Sequence, residues 1–182
     1  TLLYVAGMIT FEKDEGTLDA VVVSPMRPVE YLGSKVATLT LLACVESAVM
    51  IGGAILLMSL SADVPLPNIP LLVAGTACLC IIYTLLGIVM IVRYDTITDF
   101  LVPVMGVASL LQLPFLHYLG VVEHWTMLLL PTSAPTMLVH GAFAQLTPTE
   151  WIYAVGYTAV AIGLLAFWAA RAFHRHITLQ RG

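Results

Sequence analysis

The sequence predicts an all-α fold, a bundle of helices embedded in a membrane. Apolar residues make up 60% of the 182 positions and charged residues only 10%, whereas a soluble domain carries about a quarter charged residues. The apolar runs are continuous and roughly twenty or more residues long, the length of a spanning helix, and they lack the alternation of barrel strands. Because backbone groups in lipid are satisfied only within helices or closed barrels, these observations favour a helical bundle.

Hydropathy and turn residues divide the chain into segments of a single transmembrane domain. Residues 1–11 are apolar, but at about 1.5 Å per residue they are too short to cross a core of about 30 Å, and we interpret them as the end of a truncated helix. The predicted full spans are residues 36–60, 71–92, 100–119 and 151–170. They are flanked by a charged segment at 12–35, a Pro-rich turn at 61–70, a polar loop at 93–99, a mixed segment at 120–150 and a basic tail at 171–182.

The basic residues all fall on one side of this four-span arrangement, and the segments 61–70 and 120–150 contain none. They are Lys13, Arg27, Lys35, Arg93, Arg171, Arg175 and Arg181. Under the positive-inside rule that side is cytoplasmic, which predicts a multi-pass protein with a cytoplasmic C-terminus. The expected location is a bacterial or archaeal inner membrane. Aromatic residues near both ends of the last span are typical of an interfacial belt: Trp151, Tyr153, Phe167 and Trp168.

The segment at 120–150 is apolar enough to enter the membrane from the opposite, outer side. Pro131 and Pro135 are expected to break it into two short halves, because proline removes a helical hydrogen bond. A re-entrant helical hairpin or a pair of interfacial helices fits this pattern, and non-helical backbone at that depth has to be buried in protein or line a cavity. The alternative is a surface hairpin without a specific role.

Glu46 is the only acid well inside a predicted span. It lies ten residues past Val36, about 15 Å along the helix and near the membrane midplane. A charge there costs roughly 2.5–3.5 kcal/mol on insertion scales, so the side chain should face protein or water, or be protonated. Glu46 is therefore either a residue of a substrate path or subunit interface, or a neutral, hydrogen-bonded acid of the core. Small residues on the same helix allow close packing: Ala43, Ser47, Gly52 and Gly53.

The charged segment 12–35 is too elaborate for a simple turn. Its residues Thr17–Val23 can form a short amphipathic helix, with Thr17 as the cap and acids before it that suit the positive end of the helix dipole. Ser24-Pro25 ends that helix, and Pro28 suits the first turn of the next one. The segment is either an interfacial helix on the lipid headgroups or a docking element for a cytoplasmic partner.

The order and spacing of residues in this segment resemble the cytoplasmic coupling loop of type-2 ABC exporter permeases. The resemblance rests on Glu12, Glu15, Gly16, Thr17, Leu18, Asp19, Ser24, Pro25, Arg27, Glu30, Tyr31, Leu32 and Lys35. It covers the second helix of that family through to its C-terminus. It implies that the segment forms a coupling helix seated in a groove of an ATP-binding subunit, and that the outer segment forms short helices at the exit of the path.

Membership of that family would imply a permease dimer, with a second identical or related copy, and two ATPase subunits. No GxxxxGK[ST] phosphate loop occurs in the sequence, so ATP and Mg²⁺ are expected in the partner ATPase and no cofactor in this chain. The similarity is closer to drug-export members than to polysaccharide exporters. Drug-like or lipid-like amphipathic molecules are therefore the expected cargo.

Other chemistry finds little support in the sequence. The histidines lack the H-E-x-x-H pattern of a zinc site, and Cys78 and Cys80, two apart on a helix, project in different directions and suit core packing. We expect no metal, no catalytic residues and no nucleic-acid partner, while membrane lipid surrounds the spans. The alternative to a permease is a membrane scaffold or assembly protein that transports nothing.

Overall fold

A computed structural model of the chain describes residues 2, 4, 5, 7, 8, 28–60, 66–91, 93, 94, 97–121 and 124–179. The part described is helical and contains no strand. Its helices are α1 (Pro28–Leu60), α2 (Ile69–Ile91), α3 (Ile97–Tyr118), a 3₁₀ helix (Trp125–Leu129), α4 (Ser133–Gly141) and α5 (Pro148–Leu179).

Four of these helices are long and apolar enough to cross a membrane: Gly33–Leu60, Ile69–Ile91, Thr98–Tyr118 and Pro148–Ala172. The prediction of an all-α bundle with four full spans is confirmed. The helices extend beyond the hydropathic boundaries, since α1 begins at Pro28 and α5 continues to Leu179. Hydropathy marks where a helix leaves lipid, whereas the helix itself ends where its backbone hydrogen bonds stop.

The start of α5 shows how local sequence fixes a helix boundary. The Thr147 backbone N–H donates to Glu150 Oε2 at 2.7 Å, and the Glu150 backbone N–H donates to Thr147 Oγ1 at 3.4 Å. This reciprocal pair is a capping box, and Pro148 occupies the first helical position, where its missing N–H has no cost. The boundary therefore follows from four consecutive residues.

The antiparallel spans give the bundle two ends. We call the end that carries Lys35, Arg93 and Arg171 the basic end, and the end that carries the 3₁₀ helix and α4 the hairpin end. The main core cluster lies in the basic half, where Leu39 of α1, Ile82 and Ile88 of α2, Phe100 of α3 and Leu165 of α5 belong to one buried cluster. A smaller cluster around Met137, Leu138 and Ala154 lies at the hairpin end.

Burial differs sharply between the spans. Half of the most apolar window of α2 is buried, whereas 6% of that of α1 is buried. Helix α2 is thus the centre of the described bundle, and α1 contacts it along a single face that includes Leu39 and Ala43, 2% and 1% exposed. The helical residues Leu2 and Val5 near the N-terminus join the same core.

Candidate functional site

The segment predicted to dock a cytoplasmic partner is described only at its C-terminal end. Glu12, Glu15, Gly16, Thr17, Leu18, Asp19, Ser24, Pro25 and Arg27 lie outside the described residues. Glu30 stands in the first turn of α1, where an acid suits the helix dipole. Lys35 Nζ lies 5.6 Å from the centre of the Tyr31 ring, and burial raises the pKa of the Tyr31 phenol. These contacts place the end of the segment at the basic end of the bundle.

A second set of contacts fixes the α2–α3 turn at the basic end. The Arg93 guanidinium lies 5.5 Å from the Trp168 ring of α5, a cation–π distance. The rings of Tyr94 and Phe100 meet edge to face with centroids 5.9 Å apart. Arg93 therefore contacts α5, and Tyr94 contacts α3.

At the opposite end, the 3₁₀ helix, the connection 130–132 and α4 form a helical hairpin, hereafter the hairpin segment. Its connection lies deep, because the Thr132 hydroxyl donates to the Leu111 carbonyl at 2.8 Å, and Leu111 is seven residues, about 10 Å, inside α3. Its C-terminal end lies beside the start of α2, where the Asn68 N–H donates to the Ala142 carbonyl at 2.8 Å. The chain thus enters the bundle and returns to the same end.

Two tyrosines of α5 hold the deep end of the hairpin segment. The Tyr153 hydroxyl donates to the Leu128 carbonyl and lies 2.6 Å from the Ser133 hydroxyl. One turn further along α5, the Tyr157 hydroxyl donates to the Leu129 carbonyl at 2.5 Å. The last carbonyls of a 3₁₀ helix have no partner within that helix, so the two phenols supply hydrogen bonds that lipid cannot.

Close packing completes the seat of α4. A Cβ built on Gly75 of α2 would lie 2.9 Å from Val139 Cγ2 and 2.9 Å from the Val139 backbone nitrogen. The backbones of α2 and α4 therefore approach so closely that only glycine fits. Beside this contact the Tyr118 and His140 rings stack with centroids 5.6 Å apart.

Threonines inside the bundle provide a matched test of these hydrogen bonds. We expect Thr132→Val to destabilise the protein by roughly 0.5–2 kcal/mol, the range for polar contacts between membrane helices, because the Leu111 carbonyl loses its donor. Thr84 is equally buried, but its hydroxyl has no hydrogen-bond partner among the described residues. Thr84→Val should therefore be neutral or stabilising. Thermal unfolding in detergent measures both, and an equal loss in the two variants would contradict the role of Thr132.

The two prolines of the hairpin segment have different roles. Pro131 lies in the connection between the 3₁₀ helix and α4, as predicted. Pro135 does not break the segment, and that prediction is wrong. It is fully buried in the first turn of α4, where a helix tolerates proline because the N–H there needs no partner.

Glu46 is exposed on α1. The neighbouring Ser47 contacts α2, with its hydroxyl 3.6 Å from Cys80 Sγ, and Glu46 lies away from that contact. Glu46 is therefore not buried among the described residues. The small residues divide likewise: Ala43 packs in the core, while a Cβ on Gly52 or Gly53 would meet nothing within 4 Å.

An apolar groove lies in the basic half between α1, α2 and α5. Its volume is about 610 Å³, within the range of sites for drug-sized molecules. Small side chains make the space, namely Gly33, Ala37, Ala166, Ala169 and Ala170. Within the described ranges, no group of three or more His, Cys, Asp or Glu residues could hold a metal ion.

Sequence reasoning missed the residues that seat the hairpin segment. Tyr153 was expected in an aromatic belt, while Tyr157, Thr132, Ser133 and Gly75 were not singled out. The spacing of Tyr153 and Tyr157, one helical turn apart, was the available signal, and the rings indeed stack with centroids 5.3 Å apart. Their partners lie 25 and 28 residues away, which no local pattern indicates.

The bundle and its hairpin segment define the class of the protein, which is an integral membrane protein. The non-helical connection of the hairpin segment is packed against other helices, as such backbone must be within a membrane. The chain belongs to the fluoroquinolones export permease protein family, which matches residues 1–181. Fluoroquinolones export permease proteins of two Mycobacterium tuberculosis strains, CDC 1551 / Oshkosh and ATCC 25618 / H37Rv, are each 32% identical to it. The matched region covers 98% of this chain and 73% of each relative. No solved structure matches significantly.

The family and the four spans agree with the resemblance found in segment 12–35. The chain is an export permease of a bacterial membrane. A permease moves a molecule without transforming it, so the residues to be explained are those that form a path, recognise the cargo and couple to a source of energy.

Proposed function

We propose that this chain is the transmembrane subunit of an ATP-driven ABC exporter that carries drug-like or lipid-like amphipathic molecules outward. The observation that carries the proposal is family membership over residues 1–181. The relatives are named for the export of fluoroquinolones, which are amphipathic drugs. ATP and Mg²⁺ bind the partner ATPase in this scheme, this chain binds no cofactor, and a second permease copy completes the path within the lipid.

The orientation proposed for this chain places the basic end, and with it the C-terminus, in the cytoplasm. Lys35, Arg93 and Arg171 stand at the same end of the bundle, as the positive-inside rule requires of cytoplasmic loops. Segment 12–35 then faces the cytoplasm, where an ATPase can reach it. The hairpin segment lies in the outer half, where it shapes the exit of the path.

The apolar groove supports an amphipathic cargo. Its lining is almost wholly apolar and lies along the part of α1 between Gly33 and Cys44. In the proposed orientation the groove belongs to the inner leaflet half, where an amphipathic molecule partitions before export. Its volume of about 610 Å³ suits a molecule of drug size.

The test is co-purification of the full-length protein with an ABC ATPase from the same organism. A Glu15→Arg, Asp19→Arg variant should lose the complex, or lose the stimulation of ATP hydrolysis by substrate, because two charge reversals repel the partner surface that the wild-type acids fit. We expect at least a tenfold weaker complex. Pull-down and substrate-stimulated ATPase activity in liposomes measure the two effects.

The control is Asp99→Arg, a single charge reversal at the same end of the bundle but outside the segment. This variant should bind and couple like wild type. Failure of the wild-type protein to bind an ATPase, or unaltered coupling in the double variant, would refute the docking role of segment 12–35 and favour a scaffold protein.

A further inference from the structure

Glu46 is placed where a carboxylate is costly. It lies 13 residues from Gly33 and 14 from Leu60, the ends of the α1 span, so it is about 20 Å from either end and near the midplane. The other acids within the described spans, Asp99 and Glu150, stand in first turns. An acid at the midplane is a functional candidate whose partner should be identified.

The surface around Glu46 is an exposed stripe on one side of α1, hereafter the Glu46 face. It consists of Leu42, Glu46, Val49, Met50 and Gly53, at the three- and four-residue spacing of one helix face. Leu42, Val49 and Met50 are 47%, 72% and 73% exposed, and a Cβ on Gly53 would meet nothing within 4 Å. The Glu46 face is therefore apolar apart from one carboxylate, and Gly53 leaves space beside it.

Among the residues that the structure describes, no basic side chain lies at the depth of Glu46. Lys35 is eleven residues earlier on α1, about 16 Å along the axis. Ser47 lies level with Cys80, and Arg93 is thirteen residues beyond Cys80, about 20 Å nearer the basic end. Arg171 is one residue from the basic end of its span, and the remaining basic residues lie outside the spans in sequence: Lys13, Arg27, Arg175 and Arg181.

We propose that the Glu46 face recognises cargo, with the carboxylate selecting amphipathic molecules that carry a positive charge. The cationic group of the cargo pairs with Glu46, and its apolar body lies on Leu42, Val49 and Met50. Met50 suits a surface that accepts differently shaped molecules, since its side chain is flexible and polarisable. Charge complementarity argues for this occupant, because a carboxylate at the membrane midplane needs a partner and the cargo can supply a positive one. The inference rests on the proposed export function and adds the charge class of its substrate.

The experiment compares two probes that differ in the charge of one amine. One is a fluoroquinolone with a basic ring amine, and the other is the same compound after acetylation of that amine, which removes the positive charge. Both are measured with full-length protein and its ATPase in inside-out vesicles. Glu46→Gln should lower transport of the amine at least tenfold and that of the acetylated compound less than twofold. Glu46→Asp should retain most of the preference for the amine.

Two further variants separate charge recognition from structure. Glu46→Gln combined with Met50→Glu moves the carboxylate one turn along the same face and should recover part of the amine transport. Ala48→Gln adds an amide at similar depth on another side of α1 and should behave like wild type for both probes.

The outcomes distinguish this inference from the function on which it rests. An equal loss of both probes in Glu46→Gln would overturn the inference and assign Glu46 to a contact with another helix or a second copy, while export itself stands. Unchanged transport of both probes would also overturn it. If the wild-type protein transports neither probe, the export function fails and this inference fails with it.

Discussion

Gly75→Ala is expected to unseat the hairpin segment and destabilise the protein by about 1–3 kcal/mol, the range for overpacking. The added Cβ would lie 2.9 Å from the Val139 backbone nitrogen and 3.1 Å from Leu138 Cβ. A side chain can rotate away from such a contact, but a backbone nitrogen moves only with the whole of α4. Because α4 also carries the Tyr118–His140 stack, its displacement should loosen the hairpin end as a unit.

The matched control is Gly106→Ala in α3, where a Cβ would meet nothing within 4 Å. Alanine is favoured over glycine inside a helix by about 1 kcal/mol, so this variant should be neutral or slightly stabilised. Unfolding midpoints in detergent provide the comparison. A second measurement uses a protein in which the native cysteines are replaced and one cysteine is placed at Ala134, which is fully buried. This cysteine should react with a soluble thiol reagent only when Gly75→Ala is also present. Equal midpoints and equal labelling would contradict the close contact.

The second large effect is expected from the double variant Tyr153→Phe, Tyr157→Phe, which removes both hydroxyls bonded to the 3₁₀ helix and should lower the stability of the protein. The rings and their stacking remain, while the carbonyls of Leu128 and Leu129 lose their phenol donors. Each lost bond between membrane helices costs roughly 0.5–2 kcal/mol, and Tyr157→Phe should cost more than Tyr153→Phe. The reason is that the Ser133 hydroxyl still donates to Leu128 at 2.8 Å.

A double-mutant cycle measures whether the two tyrosines act together, since groups in contact are not additive. Tyr118→Phe is the control, because the Tyr118 hydroxyl is buried and has no hydrogen-bond partner among the described residues. That variant should be neutral or stabilised. If the hairpin segment shapes the exit of the path, the double variant should also export less per folded molecule than the wild type does. Unaltered stability in the double variant would exclude a latching role for the two phenols.

Hydropathy and turn chemistry predicted the four spans and the interruption of segment 120–150, because these are local properties. A run of apolar residues needs no partner to indicate lipid, and Pro131 interrupts the segment wherever it is placed. The same local argument failed for Pro135, since proline at a first turn begins a helix as readily as proline in an interior ends one. Which of the two applies depends on where α4 starts, and that is set by its contacts with α2 and α5.

The depth of Glu46 could be counted from the sequence, but its environment could not. A count along a helix gives about 1.5 Å per residue and places the carboxylate at the midplane. The side to which it points relative to α2 follows only from the neighbouring contacts, with Ala43 buried and Ser47 beside Cys80. The two alternatives left open by the sequence, a residue of a path or interface and an acid of the core, differ in the side of α1 on which Glu46 lies.

The sequence by itself determined that lipid surrounds the chain, the number of spans and the resemblance in segment 12–35, and it predicted that the basic residues share one side. Each of these is a property of single residues or short strings. Tertiary structure decided how α4 is seated on Gly75, which phenols support the 3₁₀ helix and which face of α1 stays open. These features join residues 21 to 64 positions apart, such as Thr132 with Leu111 and Gly75 with Val139. Their energies depend on distances between helices, and the packing of the whole bundle sets those distances.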